Sequence, residues 1–251
     1  MDIWSDVEEP DALFHITGSA RRGRFVITCD HATNRVPSEV GSLGLSAADL
    51  GRHIAYDIGA LGVARTLGKM LESPVVSSNF SRLVIDPNRG ADDPTLVMKL
   101  YDGTIIPGNR DADVDARLRQ FYWPYDDALT AAMEARPEAA LISIHSFTPQ
   151  LRGRAARPWE IGILHAGDAR LSAPLIQELR KTENLTVGVN EPYAGHLPGD
   201  AVDRHALRAA RHNTLIELRQ DLIGDATAQA QWAARLVEPL NRAFECAIAA
   251  S

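Results

Sequence analysis

Short apolar runs rich in β-branched residues alternate along this chain with longer stretches in which apolar positions recur at helical spacing. Residues 25–29 (Phe-Val-Ile-Thr-Cys) are the first such run and predict a buried strand. Comparable runs at 74–78, 83–86, 140–144, 160–164, 185–189 and 214–218 predict further strands. Ile54, Ile58, Leu61, Ala64 and Leu67 repeat at helical spacing, so a helix is expected from a cap at Ser46 to about Met70. Leu118, Phe121, Tyr122, Tyr125 and Leu129 mark another over 113–135, and helices are also expected over 171–181, 201–211 and 226–249. Residues 1–22 are polar and irregular and read as a lead-in. Residues 87–112, crowded with Pro, Gly, Asp and Asn, read as a long loop of the kind that often carries function.

Strands that alternate with helices predict an α/β fold: a mixed, mostly parallel sheet with helices on both faces. No repeat, low-complexity tract or long linker divides the 251 residues, so a single domain over 1–251 is expected.

In open α/β sheets, sites form beyond the carboxyl ends of strands. The residues at those positions here are Asp30-His31-Ala-Thr-Asn34, Asp86-Pro-Asn88-Arg89, His145-Ser146 and Asn190-Glu191-Pro-Tyr193, with Glu217 near the end of the 214–218 strand. A single histidine after a strand is usually structural. Five polar strand endings together point to a site.

His31 and His145 suit a metal such as zinc, which takes imidazole nitrogen readily and, in catalytic sites, needs a third protein ligand. Asp57, expected on the 46–70 helix, is favoured as that ligand on charge grounds, with Asn34 as the alternative. Glu217 among apolar neighbours suits a general base of raised pKa; the rival reading is a surface charge paired with Arg219. Arg82 and Arg89 carry planar forks that match a carboxylate, and Asn79 and Asn88 beside them favour a substrate pocket over a pair of solvated charges. His53 reads as a helix residue near the site.

The net charge of -7, without long runs of one sign, argues against nucleic acid as a partner. No basic start followed by an apolar run suggests a secretory signal, and no apolar stretch is long enough for a membrane span. The only cysteines, Cys29 and Cys246, make neither a disulfide framework nor a cysteine metal site. A cytoplasmic location is expected, and oligomeric state is open. No glycine-rich turn follows the first strand, which sets aside a dinucleotide-binding protein.

Taken together, Asp30-His31-Ala-Thr-Asn34-Arg-Val-Pro37, Asn79-Phe-Ser-Arg82-Leu-Val-Ile-Asp86-Pro-Asn88-Arg89, Ile144-His145-Ser146, Asn190-Glu-Pro-Tyr193-Ala-Gly195 and Ile216-Glu217-Leu-Arg219 resemble the N-formylglutamate amidohydrolase family. The resemblance runs in order from about residue 25 to 223. It implies a fold and site layout like those of zinc carboxypeptidases and aspartoacylase. It further implies a zinc, or another divalent metal, on His31 and His145, and Glu217 as the base that activates water. Arg82 and the Asn88-Arg89 pair would hold a substrate carboxylate, with Arg82 also counted among the catalytic residues and Asn79, Ser146 and Tyr193 among those that bind substrate. The carboxypeptidase-like pattern has glutamate three residues after the first histidine, where this chain has Asn34. The implied reaction is hydrolysis of an N-acyl, most simply N-formyl, acidic amino acid. Its rivals are another deacylase or carboxypeptidase-like enzyme on the same scaffold, and a metal-free protein that binds a small anion.

Overall fold

Four parallel strands form the centre of the structure. β1 (Phe14–Thr17), β2 (Phe25–Cys29), β3 (Val75–Ser78), β4 (Leu100–Tyr101), β5 (Thr104–Ile105), β6 (Ala140–Phe147), β7 (Ile161–Leu164), β8 (Val187–Val189) and β9 (Asn213–Arg219) are the strands of a computed structural model that describes residues 9–250. Seven make one sheet in the order β1-β3-β2-β6-β9-β7-β8, and β4-β5 is a separate hairpin. The inner strands β3, β2, β6 and β9 run parallel, whereas β1 and β7 lie antiparallel to their inner neighbours. This is the mixed, mostly parallel sheet that the pattern predicts.

The helices are α1 (Ala47–Leu50), α2 (Ala60–Met70), α3 (Val114–Arg117), α4 (Trp123–Glu134), α5 (Ser172–Leu179), α6 (Ala201–His205) and α7 (Ala226–Ala249). On one face, the back, Ile27, Ile142, Ile144, Ile216 and Leu218 pack against α2, α5 and α7. α7 lays down Trp232, Ala233, Leu236, Leu240, Ala243, Phe244 and Ala247, a continuous helical stripe. On the front face, Val26, Leu141 and Leu215 meet α4, α6 and the long segment 79–112. No helix among the described residues is long and apolar enough to cross a membrane.

Several expectations need correction. The 46–70 helix is two helices, α1 and α2. Ser46 does cap α1, its side chain accepting from Asp49 N–H, but residues 51–59 are irregular. Ile54 and Ala55 belong to the front core and Ala60, Val63, Ala64 and Leu67 to the back core, so the chain crosses the sheet's edge between them. Gly59, at φ +82, starts α2 with a backbone that other residues rarely adopt. Asp57 therefore sits at the crossing, ahead of the helix rather than on it.

Residues 83–86 are not a strand. The outer edge of β3 is taken by β1, which lies in the segment read as irregular; residues 1–8 of that segment fall outside the described residues. Leu83, Val84 and Ile85 are all buried, without strand alternation, and side chains satisfy the first two carbonyls: Asn109 Nδ2 donates to Leu83 O, and Arg117 Nη1 to Val84 O. The helix over 113–135 is α3 and α4 joined by a π-helical turn at Leu118–Tyr122, and the one over 201–211 ends early at His205.

Finally, β8 runs opposite to β9, so the loop after it begins at the far edge of the sheet. It returns over the front face across Gly162, which pairs with Glu217. A Cβ on Gly162 would lie 2.0 Å from Glu191 O, so only glycine lets the loop pass. This return brings Tyr193 to the site.

Candidate functional site

Strand register places the chemistry. Thr28 of β2 is level with Ser143 of β6, and His145 with Glu217 of β9. Because strand side chains alternate, Asp30, His145 and Glu217 form one row across the front face at the carboxyl ends of three parallel strands. His145 and Ser146 lie inside β6, which runs to Phe147, rather than in the loop expected after residue 144.

Asp57 reaches this row from the crossing. Its N–H donates to His31 O at 2.9 Å, and Ser146 N–H donates to its Oδ2 at 3.2 Å. His145 Nδ1 lies 2.8 Å and His31 Nδ1 3.3 Å from the same Oδ2. His31, Asp57 and His145 are all buried and offer three donor atoms within 4.8 Å of one another. Tetrahedral zinc, with ligand bonds of roughly 2.0–2.1 Å, spaces its donors roughly 3.4 Å apart.

The outward nitrogens of both rings rest on further carboxylates. His31 Nε2 is 2.7 Å from Asp86 Oδ1. His145 Nε2 is 3.0 Å from Ser143 Oγ and 3.4 Å from Asp30 Oδ2. A carboxylate behind an imidazole keeps the proton on that outer nitrogen and leaves the inner lone pair for a cation. Tyr125 OH donates to Asp30 at 2.5 Å, and Arg82 Nη2 to Asp86 at 2.8 Å, so both rear carboxylates are themselves anchored. The donor set thus fits a divalent cation.

The ionisation of the groups agrees. Burial would raise the Asp57 carboxyl, but the facing imidazoles of His31 and His145 outweigh it and hold it far below the usual carboxylate range. Burial would lower His145, but its bonds to Asp30 and Asp57 outweigh that and raise it well above the ordinary histidine value. A cation held by these donors would displace the proton that His145 otherwise retains.

Glu217 is the opposite case. Burial lifts its carboxyl to about 7, against the pull of His145, and Oε2 has no hydrogen-bond partner among the described residues. Arg219 is not its counter-ion: it pairs with Asp221 at 2.8 Å.

These groups open into a cavity of about 430 Å³ that is also lined by His53, Arg82, Asn88, Arg89, Tyr101, Ser146, Tyr193 and Asp200. Ser146 Oγ is committed to Ile58 O at 2.8 Å. Arg82 is nearly buried and pairs with Asp86, with Asp57 Oδ1 3.6 Å from its Nη1. Arg89 has no carboxylate partner among the described residues; its Nε donates to Thr95 and its Nη1 to Asn88 O.

Two expected residues are not brought to the site. Asn79 donates to the carbonyls of Pro10 and Ala12 at 3.0 and 2.8 Å and ties down the N-terminal segment. Asn34 turns outward to Leu50 O at 2.9 Å. Conversely, Asp30 and Asp86 stand in the strand-end motifs with no role assigned to them; Asp30 adjoins His31 in sequence yet supports His145, and Asp86 supports His31 from 55 residues away, so spacing along the chain gave no signal for either. His53 lines the cavity from the irregular crossing rather than from a helix, and Tyr101 comes from the hairpin inside the presumed loop.

A family model described as N-formylglutamate amidohydrolase matches residues 23–224. The solved structure of a gene product from Agrobacterium tumefaciens is 35% identical, covers 94% of this chain and 96% of its own, and superposes with a TM-score of 0.87. The N-formylglutamate amidohydrolase from Ralstonia eutropha JMP134 shares the fold at 21% identity and a TM-score of 0.66, over 93% of this chain and 99% of its own. No curated protein matches the sequence.

Proposed function

Because the chain belongs to the N-formylglutamate amidohydrolase family, we propose that it is a metal-dependent hydrolase that removes a small acyl group, most simply formyl, from an acidic amino acid such as glutamate. The observation that carries the reading is the pairing of a three-donor cluster, His31, Asp57 and His145, with an unpartnered Glu217 in the same row. A structural role explains neither an orphaned buried carboxylate nor a cavity above it.

A divalent cation, when bound, supplies Lewis-acid polarisation of the acyl carbonyl and acidifies water. Glu217 Oε2 takes a proton from the water that adds to the carbonyl carbon, and a carboxyl near 7 is well matched to that task. The same carboxyl then hands the proton to the amide nitrogen as the C–N bond breaks, giving the free amino acid and the carboxylate of the acyl group. Arg82, fixed between Asp86 and Asp57, directs positive charge at the carbonyl oxygen. Asn88 and Arg89 receive the amino-acid carboxylate.

The test is hydrolysis of N-formylglutamate by protein whose metal content has been measured, before and after chelation. Turnover that survives complete metal removal would sink metal dependence; no turnover of any N-acyl amino acid by the metal-loaded protein would sink the hydrolase reading.

A further inference from the structure

The three guanidinium groups around the cavity are not equivalent. Arg82 is compensated by Asp86 and Asp57, and Arg89 lies in the segment assigned above to the amino-acid carboxylate. The third, Arg157, stands on the loop that follows β6. It was no part of the expected site.

Arg157 is built into place. Its Nη1 donates to Thr148 O at 3.1 Å and to Tyr193 OH at 3.2 Å. Its guanidinium carbon lies 4.9 Å from the centre of the Tyr193 ring and 5.7 Å from that of Phe147. Arg157 N–H donates to Pro149 O at 2.8 Å and closes the loop on itself. Phe147, Thr148 and Tyr193 are walls of the cavity, so Arg157, bonded to Thr148 and Tyr193, stands at its rim. Among the described residues no carboxylate pairs with it, and its Nη2 donates to no protein group.

Its charge reaches the cavity. Burial lowers the pKa of His53 in the wall, Asp102 opposes this, and the fields of Arg52, Arg157 and Arg82 add to the lowering. A half-buried, stacked and uncompensated arginine costs desolvation unless an anion completes it. Arginine stacked on aromatic rings keeps its fork edge free for a planar partner.

Resting on the hydrolase reading above, we propose that Arg157, steadied by Tyr193, reads a second carboxylate, the one on the substrate's side chain, and so selects N-acyl dicarboxylic amino acids over neutral ones. Two uncompensated cations from different loops, Arg89 and Arg157, then match the two negative charges of such a substrate.

The measurement is kcat/KM of the metal-loaded enzyme on N-formylglutamate and on N-formylglutamine, which differ only in that side-chain carboxylate. A charge-assisted hydrogen bond lost in Arg157→Met should lower the acid-to-amide ratio about 10- to 100-fold, mostly through KM. Arg157→Lys, which keeps charge without the fork, should fall between. In Arg157→Glu the preference should move toward N-formyl amino acids with a cationic side chain. An acid-to-amide ratio unchanged within about threefold in Arg157→Met would overturn the proposal. Thermal protection by glutarate relative to butyrate supplies a readout independent of turnover. Glutarate should protect the wild type more than butyrate, and Arg157→Met should lose that difference; equal protection of both proteins overturns the subsite. If the wild type hydrolyses no N-formyl amino acid, the function reading falls, and the glutarate comparison still decides the subsite.

Discussion

The two faces of the central sheet come from the same three strands and have opposite chemistry. On the back, Ile27, Ile142, Ile144, Ile216 and Leu218 meet three helices in a continuous apolar layer. On the front, Thr28 and Ser143 bond to each other at 3.2 Å, and beyond them Asp30, His145 and Glu217 form a polar row under a cavity. Adjacent residues, Ile144 and His145 or Ile216 and Glu217, are less than 4 Å apart along the chain but belong to different environments. A period of two lets one strand anchor a core and carry a site, and the back layer gives the front row its precision. The contrast also runs within the front row: Asp57 Oδ2 meets both imidazoles, at 2.8 and 3.3 Å, whereas Glu217 Oε2 has no hydrogen-bond partner among the described residues.

The largest expected effect follows from the donor cluster. His31→Ala or His145→Ala should each lose the bound cation and reduce hydrolysis to the uncatalysed level, with the back-face core intact. Metal analysis and far-UV spectra on the same samples check it. Full occupancy in either variant would place the ligands elsewhere and would leave the front row without its proposed purpose.

Next is Glu217→Gln. Metal content should hold while kcat falls about 100- to 10,000-fold, the usual worth of general-base help. The same change should stabilise the chelated protein. The folded-state carboxyl, at about 7 against an ordinary 4.5, binds its proton more tightly than the unfolded chain does. Stability is therefore lost as pH rises from the unfolded value through the folded one, by roughly 3 kcal/mol at about 1.4 kcal/mol per pKa unit. Glutamine escapes that cost, so its advantage in melting temperature should be large at pH 8 and small at pH 5. An advantage independent of pH would mean that Glu217 is not strained by burial.

Asp86→Asn is a milder probe. Asp86 touches no proposed metal ligand atom; it holds His31 through Nε2 and pairs with Arg82. Loss of such a rear carboxylate typically weakens metal binding about 10- to 100-fold. Competition with a chelator of known strength would measure it, and an unchanged affinity would show that His31 needs no orientation from behind.

What could be read from the chain follows the same division. β2, β6 and β9 were legible as short apolar runs rich in β-branched residues, and α7 as one continuous apolar stripe at helical spacing. The 46–70 helix was not, because apolar positions from Ile54 to Leu67 repeat in steps of three and four as one helix would, yet Ile54 and Leu67 pack on opposite faces of the sheet, and only the tertiary crossing at Asp57 separates them. Residues 83–86 mimic a strand because their burial is complete, yet Asn109 and Arg117, distant in sequence, supply their hydrogen bonds. β1 was invisible since it is short and lies in a polar lead-in. In the site, His31, Asp57, His145 and Glu217 could be chosen by chemistry and strand position. The supporting parts, Asp30, Asp86 and Tyr125, act through contacts that no linear spacing encodes. Asn79 and Arg82 stand three residues apart in one motif, and only packing tells that the first serves the N-terminal segment and the second the cavity.

The smallest expected effect tests the comparison itself. Ile144 is fully buried on the back face, with Ser143 before it and His145 after it in β6. If the two faces are separable, Ile144→Val should cost stability alone. Removal of one buried methyl group of this kind typically costs about 0.5–1.5 kcal/mol, which urea unfolding resolves as a lower midpoint at unchanged slope. kcat/KM should stay within about twofold, since less than 0.5 kcal/mol of transition-state stabilisation would then be lost. The reason is mechanical. His145 is held by Asp57, Ser143 and Asp30 on its own side and by backbone pairing of β6 with β9, none of which Ile144's side chain supplies. A tenfold loss in kcat/KM from this one methyl group would show that the back-face packing sets the angle of His145, and that the sheet transmits strain between its faces instead of isolating them.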